Sequence, residues 1–252
     1  MTSIFFVSEL YNDYFAKLGY EPYPDNVLMP KTEILTVYAY PEELNYPQID
    51  KEWFNLEVFN RNENQDVVDL KEFVSKEFYY DTLDGQFTGK LVYVSMGSMG
   101  SVDLDLMKRL VSALSKTNHK YIVSKGPRHD ELELSRNMWG DAFLPQTKIV
   151  PLVDLVITHG GNNTVTETFA QGKPMVVMPL FGDQYDNAQR LKETNLGARV
   201  NPYSFTEQEL IDSIDKLLRD KELHQRMRKA SHRIQNSTRH QQFCDKLENL
   251  LL

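Results

Sequence analysis

The stretch from Phe143 to Arg190, FLPQTKIVPLVDLVITHGGNNTVTETFAQGKPMVVMPLFGDQYDNAQR, permits few folds. At its centre an apolar run, Leu155-Val156-Ile157, ends in Thr158-His159. Two glycines, two asparagines and Thr164 follow, then Glu167. A second apolar run, Met175 to Met178, ends at Pro179 and leads to Asp183-Gln184. The pattern predicts a strand, a tight glycine turn and a helix opening near Asn163, then a second strand with polar groups at its end. In a parallel α/β sheet, ligands collect at the C-terminal ends of the strands. Gly160 and Gly161 let the chain turn sharply and a ligand approach the backbone. The first amides of the helix, around Asn163 and Thr164, lack partners, and its dipole favours an anion there. His159 can donate to that anion. Glu167, one turn further on, suits a diol such as a ribose. Asp183 and Gln184 suit sugar hydroxyls. Phosphate, ribose and sugar together describe a nucleotide sugar.

The chain around this stretch alternates strands and helices. Leu91 to Ser95 reads as a buried strand and ends in Met96-Gly97-Ser98-Met99-Gly100-Ser101, a turn able to approach phosphates from the other side. A helix follows from Asp103, with Leu104, Met107, Leu110, Val111 and Leu114 on one face. Lys120–Ser124 is a second strand, Trp139–Leu144 contains a third, and Ala198–Val200 is a short one. Thr206-Glu207-Gln208-Glu209 is a capping box that opens a helix. The expected fold class is therefore α/β, with a Rossmann-like parallel sheet.

Four features in register resemble the UDP-glycosyltransferases: the leading LPQ, the HGG-N-[ST]-x-x-E block, the strand from GKPM to PLF, and the closing DQ-x-DNA. Glu167 and Asp183 lie 16 residues apart, as in that family's pattern. The resemblance implies the C-terminal domain of a GT-B glycosyltransferase with a partial N-terminal domain, divided as residues 1–88 and 89–252. It implies that Gly97 and Ser98 hold a diphosphate, that Phe143 stacks on the uracil with Gln146 beside it, and that UDP-sugar is the co-substrate. Trp139 is the alternative base platform. The donor set is then Gly97, Ser98, Phe143, Gln146, His159, Gly161, Asn163, Thr164, Glu167, Asp183 and Gln184.

Composition narrows the partners. A net charge of -8 argues against nucleic acid. The single cysteine, Cys244, excludes an internal disulfide. No apolar run approaches the ~18 residues of a membrane helix. The apolar patch Ile4–Val7 follows no basic residue and does not read as a signal peptide. The chain is thus expected to resemble the soluble, bacterial-like branch and to be cytoplasmic, with the sequons at Asn162 and Asn236 as chance matches.

Towards the N-terminus a helix is expected over Ser8–Leu18, stopped by Gly19 and followed by Pro22, Pro24 and Pro30. A strand is expected over Ile34–Tyr40, then surface segments PEELNYPQ and ENQDVVDLKE. The resemblance, closest here to arthropod members, places this part at the tail of the N-terminal domain and Tyr80–Lys90, with Gly85 and Gly89, as an interdomain linker. The stretch Lys221–Arg239 holds six Lys/Arg against one Glu. It reads as a solvated helix face, with an anionic membrane surface as the alternative. His224, His232 and His240, eight apart, do not converge as a metal site.

Family members that invert the sugar use a histidine early in the N-terminal domain as general base, a contribution of roughly 10²–10⁴-fold. Here the first histidine is His119, so no catalytic residue is expected within this chain. His159 would serve the diphosphate instead. No DxD pair stands between the phosphates, so no metal or cofactor is expected. Three readings follow: a hexosyltransferase acting on a small lipophilic acceptor and lacking its catalytic N-terminal half here; a non-catalytic nucleotide-sugar-binding or partner subunit, as a homo- or hetero-dimer; and another GT-B enzyme such as an epimerase, against which DQ-x-DNA speaks. Gln184 fits glucose, with galactose, xylose and glucuronate open.

Overall fold

The computed structural model describes residues 2–23, 34–47, 52–58, 69–83 and 87–251. Helix α1 (Thr2–Lys17) starts six residues earlier than its sequence signal and ends before Gly19. Two short strands, β1 (Val37–Tyr38) and β2 (Phe54–Asn55), pair in parallel. The expected strand 34–40 is cut to β1 because the Asn55 side chain replaces the next rung. Its Oδ1 accepts from the Tyr40 amide at 3.2 Å and its Nδ2 donates to the Tyr40 carbonyl at 2.8 Å. The PEELNYPQ segment is not all surface, since Leu44 in its 3-10 turn is wholly buried. Helix α2 (Lys76–Leu83) runs into the segment expected to be linker. Pro24, Pro30, Gly85 and most of ENQDVVDLKE lie outside the described residues.

The rest is one six-stranded parallel sheet with its helices. In chain order these are β3 (Leu91–Ser95), the single turn α3 (Gly97–Gly100), α4 (Leu104–Leu114), β4 (Lys120–Ser124), β5 (Met138–Asp141), the short α5 (Gln146–Ile149), β6 (Leu155–Thr158), α6 (Asn162–Ala170), β7 (Met175–Val177), α7 (Gln184–Glu193), β8 (Gly197–Arg199), α8 (Glu207–Arg219), α9 (Lys221–Gln235) and α10 (Arg239–Leu251). The spatial order is β5-β4-β3-β6-β7-β8, all parallel. Counted from β3 that is 3-2-1-4-5-6, the doubly wound Rossmann order. Strands β3, β6 and β7 are buried at every residue, as continuous apolar runs covered on both faces must be. The third strand spans Met138–Asp141, earlier than the Trp139–Leu144 window. Trp139 packs against the core from it and is partly buried.

Caps fix the helix starts. Asp103 accepts from the Leu106 amide at 3.0 Å, Thr206 from the Glu209 amide at 3.1 Å, and Asp220 from the Leu223 amide at 2.8 Å. Asp103→Ala is expected to cost about 1 kcal/mol, because it removes one of these acceptors and leaves the apolar face of α4 intact. Urea denaturation checks this, with an unchanged m-value and a lowered midpoint as the expected result.

The basic stretch is not a plain solvated face. Arg226 donates to the Thr194 and Asn195 carbonyls closing α7, at 3.1 and 2.6 Å. Arg233 binds Glu43 at 2.7 Å and also Glu57, while Arg239 binds Glu42 and, at 3.3 Å, Glu57. Together with Arg190, whose Nε and Nη2 donate to the Leu44 and Asn45 carbonyls at 2.9 and 2.8 Å, Arg233 and Arg239 strap the described residues 37–47 and 52–58 onto α7, α9 and α10. No described helix is long and apolar enough to cross a membrane.

Candidate functional site

The sheet order reverses between β3 and β6, so the crevice at their C-terminal ends is where a ligand is expected to lie. Both glycine turns open into it. After β3 comes Gly97, at φ +69°; after β6 come His159, Gly160 and Gly161. The His159 imidazole lies between the two turns. A Cβ on Gly97 would stand 2.8 Å from its Cε1 and Nε2, and a Cβ on Gly161 would stand 2.7 Å from Nε2. Neither position tolerates a side chain without moving the ring. Burial holds the imidazole below its ordinary pKa, against upward pulls from a hydrogen bond to the Ser95 backbone and from the Asp183 charge. It is therefore neutral at neutral pH and can donate through one nitrogen. Thr158 Oγ1 lies 3.3 Å from Nδ1 and accepts from the Gly160 amide at 3.2 Å, fixing the turn.

The lowered pKa has a consequence for stability. Below about pH 6.5 the unfolded chain takes up a proton that folded His159 resists. Stability is therefore expected to fall as pH drops through that range and to be unaffected by this group above it. His159→Gln should lose less melting temperature than the wild type between pH 7 and pH 5. Equal losses would mean that the ring is not held neutral by burial.

Helix α6 starts at Asn162, with Gly161 at its N-cap and no side-chain cap. The Asn162 amide donates to Asp183 Oδ2 at 3.2 Å, and Asn162 Nδ2 donates to the Ala39 carbonyl at 3.3 Å. Asn163 is exposed and Thr164 buried. Gln146, at the start of α5, donates from Nε2 to Glu167 Oε2 at 2.7 Å and to Thr164 Oγ1 at 3.2 Å. The positions read as base-side and ribose-side thus touch across 21 residues of chain. Ser98 is exposed beside Gly97, and Phe143 is 70% exposed at the rim.

A sequence model of the UDP-glucuronosyl and UDP-glucosyl transferases matches residues 77–236, well over half of the chain. The chain belongs to the UDP-glucuronosyl and UDP-glucosyl transferase family. The uncharacterized UDP-glucosyltransferase YdhE of Bacillus subtilis is 27% identical over 165 residues, covering 64% of this chain and 42% of its own length. The bovine UDP-glucuronosyltransferase 3A1 is 30% identical over 136 residues, covering 52% of this chain and 26% of its own length. This chain therefore spans less than half the length of these curated relatives. Among solved structures, the glycosyltransferase of kitacinnamycin superposes with a TM-score of 0.76 at 20% identity, covering 97% of this chain and 62% of that one. The calicheamicin glycosyltransferase CalG4 gives 0.68 at 19% identity, covering 97% and 60%. Both share the fold of this chain, in keeping with a Rossmann-like GT-B domain.

Within the crevice, Asp183 and Gln184 differ in what they present. Asp183 is exposed, with Oδ2 accepting from Asn162 and, at 3.4 Å, from Asn187 Nδ2. Gln184 is only 3% exposed, and its Oε1 accepts from the Leu180 and Phe181 amides at 2.9 and 3.1 Å. Its carbonyl end is thereby committed to the loop after β7. Two residues escaped sequence reasoning. Buried Asn187 donates to the Gly160 carbonyl at 2.8 Å, tying α7 to the glycine turn. Asn162 bridges the site to the N-terminal strap. Asn187 had a signal, since an asparagine in the first turn of a helix needs a partner, and the DNA triplet holds one. Among the described residues no group of three or more His, Cys, Asp or Glu is placed to hold a metal ion.

Proposed function

We propose that the crevice between β3 and β6 binds a UDP-sugar and that the protein transfers its hexosyl group, with inversion, to a small lipophilic acceptor. The observation that carries this reading is the neutral His159 imidazole seated between Gly97 and Gly161 at the reversal of strand order. A diphosphate there would meet the imidazole, the amides opening α6 and the turn after β3. The acceptor oxygen bonds to the sugar C1 as the bond from C1 to the diphosphate breaks. UDP leaves with the electron pair, and the acceptor proton passes to a base outside residues 89–252. Residues 1–88 belong, in this reading, to the acceptor-binding side. Charge on the departing UDP is met by these groups without a metal. A second reading is a nucleotide-sugar-binding partner subunit, for which the donor-side groups of residues 89–252 would suffice.

Calorimetric titration with UDP and then UDP-glucose, with and without chelator, tests the donor site. Saturable, chelator-insensitive binding is expected. Failure of a folded chain to bind UDP would overturn both readings. Asp183→Ala is expected to weaken UDP-glucose about tenfold and spare UDP, since only the sugar loses a charged acceptor. Equal loss of both ligands would move Asp183 off the sugar. Radiolabelled transfer to a phenolic acceptor then separates the enzyme from the partner subunit.

A further inference from the structure

Residues 37–46 lie outside the segment that matches the family model, yet they reach the donor crevice. Asn162 is the junction. Its side chain donates to the Ala39 carbonyl at 3.3 Å while its amide donates to Asp183 at 3.2 Å. The next residue, Tyr40, is pinned through both backbone groups by Asn55 and is partly buried against the core. Arg190, Asp186 and Asp183 act on its phenol through their charges, as does the phenol of Tyr46. Burial first, and then Tyr46 and the two aspartates, raise its pKa against the pull of Arg190, so it remains a neutral donor at any working pH.

The charge of this corner is lopsided. Arg190 is already engaged by the Leu44 and Asn45 carbonyls, by Glu193 Oε2 at 2.9 Å, and by the Tyr46 ring 4.4 Å below it. Asp183 and Asp186 are exposed. A group entering beside Asp183 therefore meets one neutral phenol and two carboxylates, with the nearby guanidinium turned to the protein. Hydroxyl groups satisfy such a corner by donating to the carboxylates and accepting from the phenol. A carboxylate on the sugar would face like charges.

Resting on the donor-site reading above, we propose that Tyr40 closes the sugar end of the pocket and, with Asp183 and Asp186, makes this chain select an uncharged hexosyl donor over a uronosyl donor. The test is parallel titration of the wild type, Tyr40→Phe, Tyr40→Ala and Asp186→Asn with UDP, UDP-glucose and UDP-glucuronate. The wild type is expected to bind UDP-glucose at least about tenfold more tightly than UDP-glucuronate. Tyr40→Phe keeps the packing and should lose several-fold in UDP-glucose affinity with UDP unchanged; Tyr40→Ala should lose more. Asp186→Asn should narrow the gap by improving UDP-glucuronate alone.

Two results would overturn the proposal while sparing the donor-site reading. One is UDP-glucuronate bound as tightly as UDP-glucose by the wild type. The other is Tyr40 variants that weaken UDP and UDP-glucose by the same factor, which would make the tyrosine a packing residue. A folded wild type that binds no UDP would sink the donor site itself and this inference with it.

Discussion

Replacing Glu167 by alanine is expected to weaken UDP binding by about 100-fold. The carboxylate projects from the second turn of α6, partly exposed, and receives the Gln146 amide at 2.7 Å on Oε2. In the proposed complex the two hydroxyls of the ribose donate to it. Hydrogen bonds to a charged acceptor contribute about 1.5–3 kcal/mol each, so the lower end of the range for two already gives roughly 3 kcal/mol. Alanine also strips Gln146 of an acceptor, which loosens the loop on which Phe143 stands. Glu167→Gln separates these contributions: it keeps the length and one acceptor and removes the charge, so an intermediate loss is expected. Inorganic diphosphate supplies the control, because it carries no ribose and should bind wild type and variant alike. Titration of a folded Glu167→Ala with unchanged UDP affinity would place the ribose elsewhere.

The frame of the site was readable because its signals are local. An apolar run with β-rich composition, then glycine, then a helical segment, repeats at β3, β6 and β7, and each element formed within a few residues of its expected place. Asp103 and Thr206 announced α4 and α8 for the same reason, since a cap acts on amides three residues away. The relations across the crevice were not readable. Nothing in the run Ser95–Ser101 says that its glycine will face an imidazole 62 residues later, and nothing in LPQ says that the glutamine will reach Glu167. Gln184 reads as a sugar ligand beside Asp183, and the sequence does not show that the turn after Pro179 also takes its Oε1 as acceptor for the Leu180 and Phe181 amides. The strap was the least legible part. The partners of Arg233 and Arg239 lie 176 to 197 residues earlier in the chain, and a charge run on a helix carries no mark of which side chains will be met.

Within that strap, Glu57→Ala is expected to release residues 37–47 and 52–58 from the sheet domain at a cost of roughly 2–3 kcal/mol. Glu57 is 1% exposed and sits at φ +65°, in the left-handed region, where its amide donates to Asn55 Oδ1 at 2.8 Å. That backbone aims the carboxylate at both Arg233 and Arg239. Alanine carries the same Cβ and bears the same backbone strain, so the difference reports on the carboxylate. Removing one partner from a buried ion pair commonly costs about 3–5 kcal/mol, but the two arginine side chains are 33% and 30% exposed, and water recovers part of the loss. The effect should be local, because these ion pairs fasten the strap to α9 and α10 while the strands of the sheet keep their own apolar packing, although Leu44 and Val58 also reach the shared core. Amide hydrogen exchange at Tyr40, Leu56 and Val58 should therefore accelerate about 30- to 100-fold, while exchange within β3 stays at its wild-type rate. Uniform acceleration would mean that the strap and the sheet unfold as one unit, and unchanged exchange at Tyr40 would mean that Arg190 alone holds it. If the strap does come free, Tyr40 leaves Asp183 with it. A charge cluster on α9 and α10 would then set how tightly the sugar is held.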